Sequence, residues 1–351
     1  MLRIFSSLKS TSEPVCSVCI ANFNGVNVLA DCIDSVLNQE GDVSFEIIIH
    51  DDASTDGSVA WIRDKYPNVD LLAANHNAGF CIANNRMVAH ARGEFVLLLN
   101  NDAALHADAL QTLVDAARSS QASTGMTGIF TLPQYDWSSG QLVDRGCLLD
   151  PFYNPVPNVD PERVDVAYVI GACMFMPRAL WNDLGGLPEW MESIAEDMYI
   201  CCAARLQGLG VHAIPASGYK HQQGASFGGN RVTSGRLSST YRRRALSERN
   251  KTAVMLICTP SGWIWCWLAV HGLFLIMEGA ALTLAKRDFK IWRNIYFKAL
   301  KEIMREWRGW HQRRLAIQGA RKIGLRDYLR VMVPIPRKMM LLFKHGIPSF
   351  R

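Results

Sequence analysis

The sequence predicts an α/β fold built on a doubly wound parallel sheet, followed by a basic helical region. Three observations lead to this prediction. Apolar strand-like runs alternate with segments of helical periodicity, several of the runs end in Asn or Asp, and the C-terminal part is first apolar and then basic. The chain has 351 residues, 49% of them hydrophobic, which is enough for a large core.

Strand-like and helix-like segments alternate from residue 15 onward. VCSVCIANFNG (15–25) is apolar and β-prone and breaks at Asn24-Gly25, which indicates a buried strand of a parallel sheet. Residues 28–39 then carry apolar side chains at helical spacing. FEIIIHDDASTDGS (45–58) is a second strand that runs into a polar turn. The alternation continues to FVLLLNNDA (95–103), a further strand.

The following part is less regular. Residues 120–165 are rich in Pro, Gly and Asp, which predicts loops and short antiparallel strands. Residues 168–186 predict a strand and then a helix closed by Gly185-Gly186. Residues 195–210 predict a helix with a Gly stop.

Polar side chains end three of the predicted strands, at Asn22–Asn24, Asp51-Asp52 and Asn100–Asp102. In open parallel sheets, ligands bind beyond the carboxyl ends of the strands. Each stretch alone fits an ordinary turn or helix cap, but three at corresponding strand ends predict one acidic, amide-lined cleft. Such a cleft suits a divalent cation together with a phosphorylated ligand. GxGxxG and GxxxxGK(S/T) are absent from the sequence, which argues against a dehydrogenase and a P-loop enzyme.

The charge is unevenly distributed along the chain. The formal net charge is +5, but from Lys286 onward there are 18 Lys and Arg against 4 Asp and Glu. That is a net +14, which leaves −9 on residues 1–285. An acidic body with a basic tail predicts an anionic partner for the tail.

Trp263 to Ala285 is an apolar run of 23 residues, long enough to cross a bilayer. His271 and Glu278 would be costly at the centre of a span, and basic clusters flank the run on both sides. These features favour a helix that lies in the membrane interface or re-enters it. The Trp-rich basic helices that follow are typical of a membrane surface. A buried helical pair in a basic subdomain or dimer interface is the alternative.

An ordered set of motifs closely resembles the family-2 glycosyltransferases, and among them the bacterial rhamnosyltransferase-like branch of surface-polysaccharide biosynthesis. The motifs are ANFNG (21–25), IIIHDDASTDGS (47–58), NHNAGFCIANN (75–85), FVLLLNNDA (95–103), GACMFMPRALWNDLGG (171–186), EDMYICCAARLQGLG (196–210) and HQQGAS (221–226). The resemblance implies a GT-A fold, which is a Rossmann-like mixed sheet flanked by helices. It also implies a nucleotide-sugar donor and an inverting transfer.

The resemblance further implies roles for individual residues. The nucleotide-sugar-binding residues that it implies are Asn22, Phe23, Asn24, Asp51, Asp52, Asn77, Gly79 and Asn101. Asp102, the last acid of the DXD-type motif, would ligate a Mg²⁺ or Mn²⁺ ion that bridges the donor diphosphate. His221 is a candidate metal or phosphate contact, with a structural hydrogen bond as the alternative. Arg249 is a candidate for charge compensation, with a solvated helix face as the alternative.

Transfer at the anomeric carbon also requires a base for the acceptor hydroxyl. Glu196 and Asp197 open a predicted helix, where a carboxylate is favoured for purely structural reasons as well. The resemblance places the catalytic base in this pair, and Asp197 matches it best. A catalytically dead scaffold is not expected, because Asp51, Asp102 and Asp197 are all present.

These inferences predict a leader over residues 1–13, a GT-A catalytic domain over 14–255 and a helical, membrane-associated region over 256–351. The expected protein is a metal-dependent inverting glycosyltransferase at the cytoplasmic face of the cell membrane. Its first candidate donor is dTDP-rhamnose and its acceptor a lipid-linked saccharide of polysaccharide, O-antigen or lipopolysaccharide synthesis. A UDP-hexose donor is the alternative. A nucleic-acid-binding tail is less expected, because the aromatic residues of the tail are Trp rather than the interleaved Phe and Tyr of stacking platforms.

Overall fold

The computed structural model describes residues 2–6, 13–125, 127–222, 229–233, 236–260 and 262–350. The chain divides into two compact units. The first unit comprises Met1–Cys147, Pro157–Ser193 and Leu209–Ser226, and the second comprises Leu148–Val156, Ile194–Gly208 and Phe227–Arg351. This division differs from the predicted boundary after residue 255, which falls inside a helix.

The strands, in chain order, are β1 Leu2–Phe5, β2 Cys16–Asn22, β3 Phe45–Asp51, β4 Asp70–Ala74, β5 Phe95–Asn100, β6 Ala103–Leu105, β7 Gly128–Thr131, β8 Gln134–Asp136, β9 Leu142–Asp144, β10 Cys147–Leu149, β11 Pro155–Pro157, β12 Cys173–Pro177, β13 Gly210–Ala213, β14 Tyr219–His221, β15 Gly229–Thr233, β16 Arg236–Ser239 and β17 Ser349–Phe350. The α-helices are α1 Leu29–Leu37, α2 Ser58–Lys65, α3 Phe80–His90, α4 Ala109–Thr124, α5 Arg178–Leu184, α6 Glu196–Leu206, α7 Tyr241–Cys258, α8 Ile264–Lys286, α9 Phe289–Ile291, α10 Lys298–Gly319, α11 Leu325–Leu329 and α12 Arg337–His345. Glu189–Met191 is a 3₁₀ turn, and Trp292–Phe297 is π-helical.

The main sheet of the first unit is mixed, as predicted. Over the described residues it has eight strands in the order β1-β4-β3-β2-β5-β12-β7-β13. The central strands β4, β3, β2 and β5 are parallel, whereas β1 and β12 run antiparallel to their neighbours in this central group. A smaller sheet has the order β6-β14-β8-β9.

Apolar periodicity explains why these segments form these elements. β2 is buried almost throughout, as expected for a central strand that is covered on both faces. On α1 the buried residues are Leu29, Cys32, Ile33 and Val36, which follow the spacing of one helix face and join the core under the sheet. Full burial of a side chain such as Leu29 stabilises the fold by about 1.5–3 kcal/mol.

The N-terminal segment is more ordered than the leader expected over residues 1–13. Leu2–Phe5 forms the edge strand β1, antiparallel to β4. The guanidinium of Arg63 lies over the Phe5 ring, 4.3 Å from its centroid, which fixes the end of this strand. The prediction for residues 7–12 lies outside the described residues.

The second unit is mostly helical, which agrees with the predicted C-terminal helical region. Its longest helices are α7, α8 and α10. Tyr153 is buried in this unit, with its hydroxyl 2.8 Å from Thr259 Oγ1 and 3.0 Å from the hydroxyl of Tyr328. Within the part of the chain that the structure describes, α8 is the one helix whose length and composition would let it cross a bilayer.

Candidate active site

The ends of the three predicted strands meet in the first unit. β2 lies between β3 and β5, and the register sets Asn22 opposite Asp51 and Ala21 opposite Asn100. Asn22 Nδ2 donates to Asp51 Oδ2 at 2.8 Å, and Asn101 Nδ2 donates to Asn22 Oδ1, also at 2.8 Å. The single amide group of Asn22 therefore links the ends of all three strands.

The turns after β2 and β3 are joined side by side. The amide of Asn24 donates to Ser54 Oγ at 2.8 Å, and the amide of Thr55 donates to Asn24 Oδ1 at 2.8 Å. The amide of Ser54 donates to the second oxygen of the buried Asp51 at 2.9 Å. Phe23 is 49% exposed on the first turn. The backbone is thus fixed around Asp51, while the Phe23 ring is available to a ligand.

Asp52 holds the loop that contains Asn77 and Gly79. Its two carboxylate oxygens accept from the amides of Ala78 at 2.7 Å and Gly79 at 2.8 Å. Gly79 has φ +92° and ψ 164°, a conformation that is essentially restricted to glycine. The side chain of Asn77 is exposed. In this arrangement Asp52 positions the loop, and the loop presents Asn77.

Asp102 and His221 are brought together by the smaller sheet. β14 pairs with β6 so that His221 lies opposite Ala103, the residue after Asp102. His221 Nε2 lies 3.1 Å from Asp102 Oδ1, and both side chains are buried. On the other side of the ring, Nδ1 is 3.3 Å from Gln134 Oε1, which accepts from the Tyr219 hydroxyl at 2.8 Å. Residues 223–226 of the HQQGAS motif lie outside the described residues.

This pair offers one carboxylate oxygen and one imidazole nitrogen, both of which divalent cations accept. Over the described ranges, no group of three or more His, Cys, Asp or Glu side chains is arranged to hold a metal ion. Asp102 and His221 therefore fit a divalent cation provided that other oxygen ligands come from a bound diphosphate or from water.

Sequence reasoning missed two groups near His221, namely Gln134 and Asp144. They lie opposite each other on β8 and β9. Burial raises the pKa of Asp144 to about 7, although a hydrogen bond from the Gly146 amide and the nearby His221 oppose this rise. Both residues belong to three-residue strands in the irregular 120–165 region. Strands this short have no periodicity that would mark them in the sequence.

Glu196 and Asp197 belong to the second unit, where they open α6 as predicted. The residues just before the helix are strained, because Ile194 and Ala195 have φ of 73° and 68° although neither is glycine. Asn250 Nδ2 donates to the Ile194 carbonyl at 2.7 Å and holds this turn in place. Such strain is typical of functional sites, where it fixes a side chain in one direction.

The two carboxyl groups of this pair have different environments. Burial raises the pKa of Glu196 to about 8, and the neighbouring charge of Asp197 raises it further. Glu196 Oε2 has no hydrogen-bond partner among the described residues. Asp197 is only partly buried, and its Oδ1 accepts from the Met198 amide at 2.7 Å. Glu196 is therefore largely protonated at neutral pH, which leaves Asp197 as the better candidate for a base.

The alternative of a solvated helix face for Arg249 is wrong. Its side chain is only 8% exposed, and its Nη1 lies 3.1 Å from Glu302 Oε2. Its Nε donates to Asn250 Oδ1 at 2.8 Å. Sequence reasoning did not detect this ion pair because its partners are 53 residues apart.

Comparisons with known proteins show similarity to glycosyltransferases. Residues 17–184 match the family model described as Glycosyl transferase family 2, a segment that contains the linked ends of β2, β3 and β5. Chondroitin synthase from Pasteurella multocida (strain Pm70) is 26% identical over 191 residues, which cover 53% of this chain and 18% of the relative. The chain thus spans less than a fifth of the length of that relative.

Two solved structures share the fold. S. aureus TarS superposes with a TM-score of 0.54 at 18% identity, covering 90% of this chain and 54% of TarS. The mannosyltransferase PcManGT from Pyrobaculum calidifontis, in complex with GDP-Man and Mn²⁺, gives a TM-score of 0.50 at 17% identity and covers 88% and 86%. The expected GT-A fold is confirmed, and residues 17–184, just under half of the chain, are similar to glycosyl transferase family 2.

Proposed function

We propose that the protein is a metal-dependent inverting glycosyltransferase that transfers a sugar from a nucleotide-sugar donor to a lipid-linked saccharide. The observation that carries this proposal is the hydrogen-bonded series Asp51–Asn22–Asn101, next to the Asp102–His221 pair, in a family-2 domain. These side chains form a polar, acidic edge at the carboxyl ends of parallel strands, where nucleotide ligands bind in open α/β sheets.

In this proposal the donor nucleoside lies against Asp51, Asn22 and Asn24, with Phe23 and the Asn77–Gly79 loop beside it. Asp51 is fully buried and accepts from neutral N–H groups, so it fixes Asn22 and the turn at Ser54, against which the donor would lie. We propose dTDP-rhamnose as the first donor to test. A UDP-hexose is the alternative, because these contacts do not distinguish the two pyrimidine nucleotides.

Asp102 and His221 would hold a Mg²⁺ or Mn²⁺ ion, with the donor diphosphate completing its ligands. A bound divalent cation acts as a Lewis acid that offsets the charge of the departing nucleoside diphosphate. PcManGT, which shares the fold, is a complex with GDP-Man and Mn²⁺. Gln134 accepts from the Tyr219 hydroxyl and lies next to His221 Nδ1, which orients the ring so that Nε2 faces Asp102.

Asp197 is the proposed base. It takes the proton of the acceptor hydroxyl as that oxygen forms its bond to the anomeric carbon, and the bond from the same carbon to the diphosphate oxygen breaks. One displacement inverts the configuration at that carbon. Glu196, which burial keeps largely protonated, lies next to Asp197 without competing for the proton.

We place the reaction at the cytoplasmic face of a bacterial cell membrane, in surface-polysaccharide synthesis. The similarity to a chondroitin synthase supports a polysaccharide product. The apolar helix α8 and the net charge of +14 from Lys286 onward support a membrane-bound acceptor.

The test is a transfer assay with the full chain, Mn²⁺ or Mg²⁺, a polyprenyl-diphosphate-linked saccharide and a panel of nucleotide sugars. We expect release of dTDP from dTDP-rhamnose and a product whose anomeric configuration, read by NMR, is opposite to that of the donor. Release of UDP from a UDP-hexose would select the alternative donor. A product with retained configuration, or no turnover of any donor in the panel, would contradict the proposal.

A further inference from the structure

The exposed face of α8 is apolar along its whole length. The buried residues of this helix are Ile264, Leu268, His271, Leu275, Gly279 and Leu282, which lie on one face. The large exposed residues are Trp265, Val270, Leu273, Phe274, Ile276, Met277 and Leu284, preceded by Trp263 at 77% exposure. An apolar strip of this size is uncommon on a soluble monomer and indicates an interaction surface.

The two polar residues that argued against a single membrane span point into the second unit. His271 Nε2 lies 2.9 Å from Thr252 Oγ1, and the ring stacks on Phe152. Glu278 accepts from Arg244 at 2.8 Å and from Lys338 at 2.5 Å. From Trp265 to Leu284 the exposed face therefore carries no charge, whereas the opposite face is fixed in the fold. This arrangement fits a helix that lies along a bilayer surface rather than a single span.

A second helix, α12, adds to this surface. Its large apolar side chains Met339, Met340, Leu342 and Phe343 are exposed, Phe343 to 84%. The helix has no buried residue. Lys338 attaches it to α8 through Glu278, and to α7 through Glu248 at 2.9 Å. Because these four apolar side chains are exposed, ion pairs hold the helix in a position where they meet solvent.

Charge identifies the partner that covers these faces. Exposed basic residues lie at the end of the apolar face of α8 and beyond it, at Lys286, Arg287, Lys290 and Arg293, and α12 has Lys344 in its last turn. A second copy of the chain would bring like charges together along this strip. An anionic bilayer provides apolar depth for the helices and negative headgroups for the basic residues.

We propose that α8 and α12 form one docking surface for an anionic bilayer, with Lys338 as the brace between them. This inference deepens the membrane placement of the proposed function. It does not depend on the identity of the donor or the metal, so vesicle binding and sugar transfer can fail independently.

The test is flotation of the full chain with phosphatidylcholine vesicles that contain or lack phosphatidylglycerol, without nucleotide or metal. We expect binding that requires phosphatidylglycerol and weakens at high salt. Leu273→Asp on α8 and Phe343→Asp on α12 should each weaken binding about tenfold or more, because each puts a charge in place of an exposed apolar side chain. Val159→Asp, at a residue that is 59% exposed in the first unit, is the matched control and should bind like wild type.

Folding is monitored by circular dichroism, and Trp fluorescence gives an independent reading. Brominated lipid should quench the fluorescence of the wild type more than that of Trp263→Phe. Normal binding by Phe343→Asp would exclude α12 from the surface and overturn the proposal. Three other results would also overturn it: no binding to anionic vesicles, a dimer that Leu273→Asp dissociates, or binding of an oligonucleotide that the two Asp variants abolish.

Discussion

Two buried carboxylates, one in each unit, are held in opposite ways. In the second unit, Glu248 is fully buried and surrounded by cations, with Arg244 Nε at 2.9 Å, Lys338 Nζ at 2.9 Å and Lys251 Nζ at 3.4 Å. In the first unit, the buried Asp51 accepts from the side-chain amide of Asn22 and a backbone amide.

In the proposed function, this difference separates a structural carboxylate from one at the nucleotide site. Cationic partners cancel the charge of Glu248 and hold its pKa well below the ordinary value. Asp51 and Asp52 instead accept from neutral amide groups, which orient the two carboxylates. The first arrangement stabilises helix packing, and in the proposed function the second helps to form the site for a nucleotide and a cation.

The largest expected effect tests the pair at the start of α6. Asp197→Asn should lower kcat by about 10²–10⁴-fold, because a general base contributes that much, with little change in donor binding or thermal stability. Glu196→Gln, which mimics the protonated state of Glu196, should cost about tenfold or less. Steady-state kinetics of both variants decide the assignment. A larger loss in Glu196→Gln would make Glu196 the base.

Glu248→Ala tests whether the buried carboxylate of the second unit has a structural role. Glu248→Ala leaves buried cations without their partner and should lower the free energy of unfolding by about 3–5 kcal/mol, measured in urea. Glu306→Ala removes an exposed carboxylate whose ion pair with Arg305 lies on the surface, so its effect should stay below about 1 kcal/mol. Equal effects from the two variants would show that the buried cluster does not hold the second unit together.

Asn22→Ala tests the amide that orients Asp51 in the first unit. It removes one donor of Asp51 and the acceptor of Asn101, so we expect a loss of about 1–3 kcal/mol in unfolding free energy and weaker nucleotide binding. Asn27→Ala, at an exposed position of the adjacent turn, should leave both quantities unchanged. Unchanged nucleotide affinity in Asn22→Ala would separate this amide from the ligand site.

The last expected effect concerns pH. Since the pKa of Glu196 is raised to about 8 in the folded chain, the native state binds more protons than the unfolded state between its ordinary pKa and pH 8. The contribution of Glu196 to stability is therefore full at low pH and is lost as pH rises to about 8. The melting temperature of Glu196→Gln relative to wild type should increase from pH 5 to pH 9. A constant difference would contradict the raised pKa.

The sequence predicted the parts of the site that depend on strand ends. Asn22, Asp51 and Asn101 could be placed together because the carboxyl ends of parallel strands meet at one edge, and long apolar runs mark those strands clearly. Asp102 was found by the same reasoning together with the family resemblance.

What the sequence did not predict depends on contacts between distant residues. Gln134 and Asp144 lie on strands of three residues, too short for a periodic signal. The ion pair between Glu248 and Lys338 joins residues that are 90 positions apart, and neither residue belongs to a local motif. The strained φ at Ala195 was not predicted either, because alanine has no preference for that conformation.

The most direct test of the central claim is a thermal-shift measurement with dTDP and UDP, each with and without Mn²⁺ or Mg²⁺. A ligand that binds only the folded state stabilises it by about 2.7 kcal/mol at a hundredfold excess over its Kd. We predict stabilisation by one of these nucleotides that requires the metal, is lost in Asp102→Asn and persists in Asp64→Asn, a change at an exposed carboxylate. Stabilisation that is the same without metal, or that survives Asp102→Asn, would contradict a cation held at Asp102.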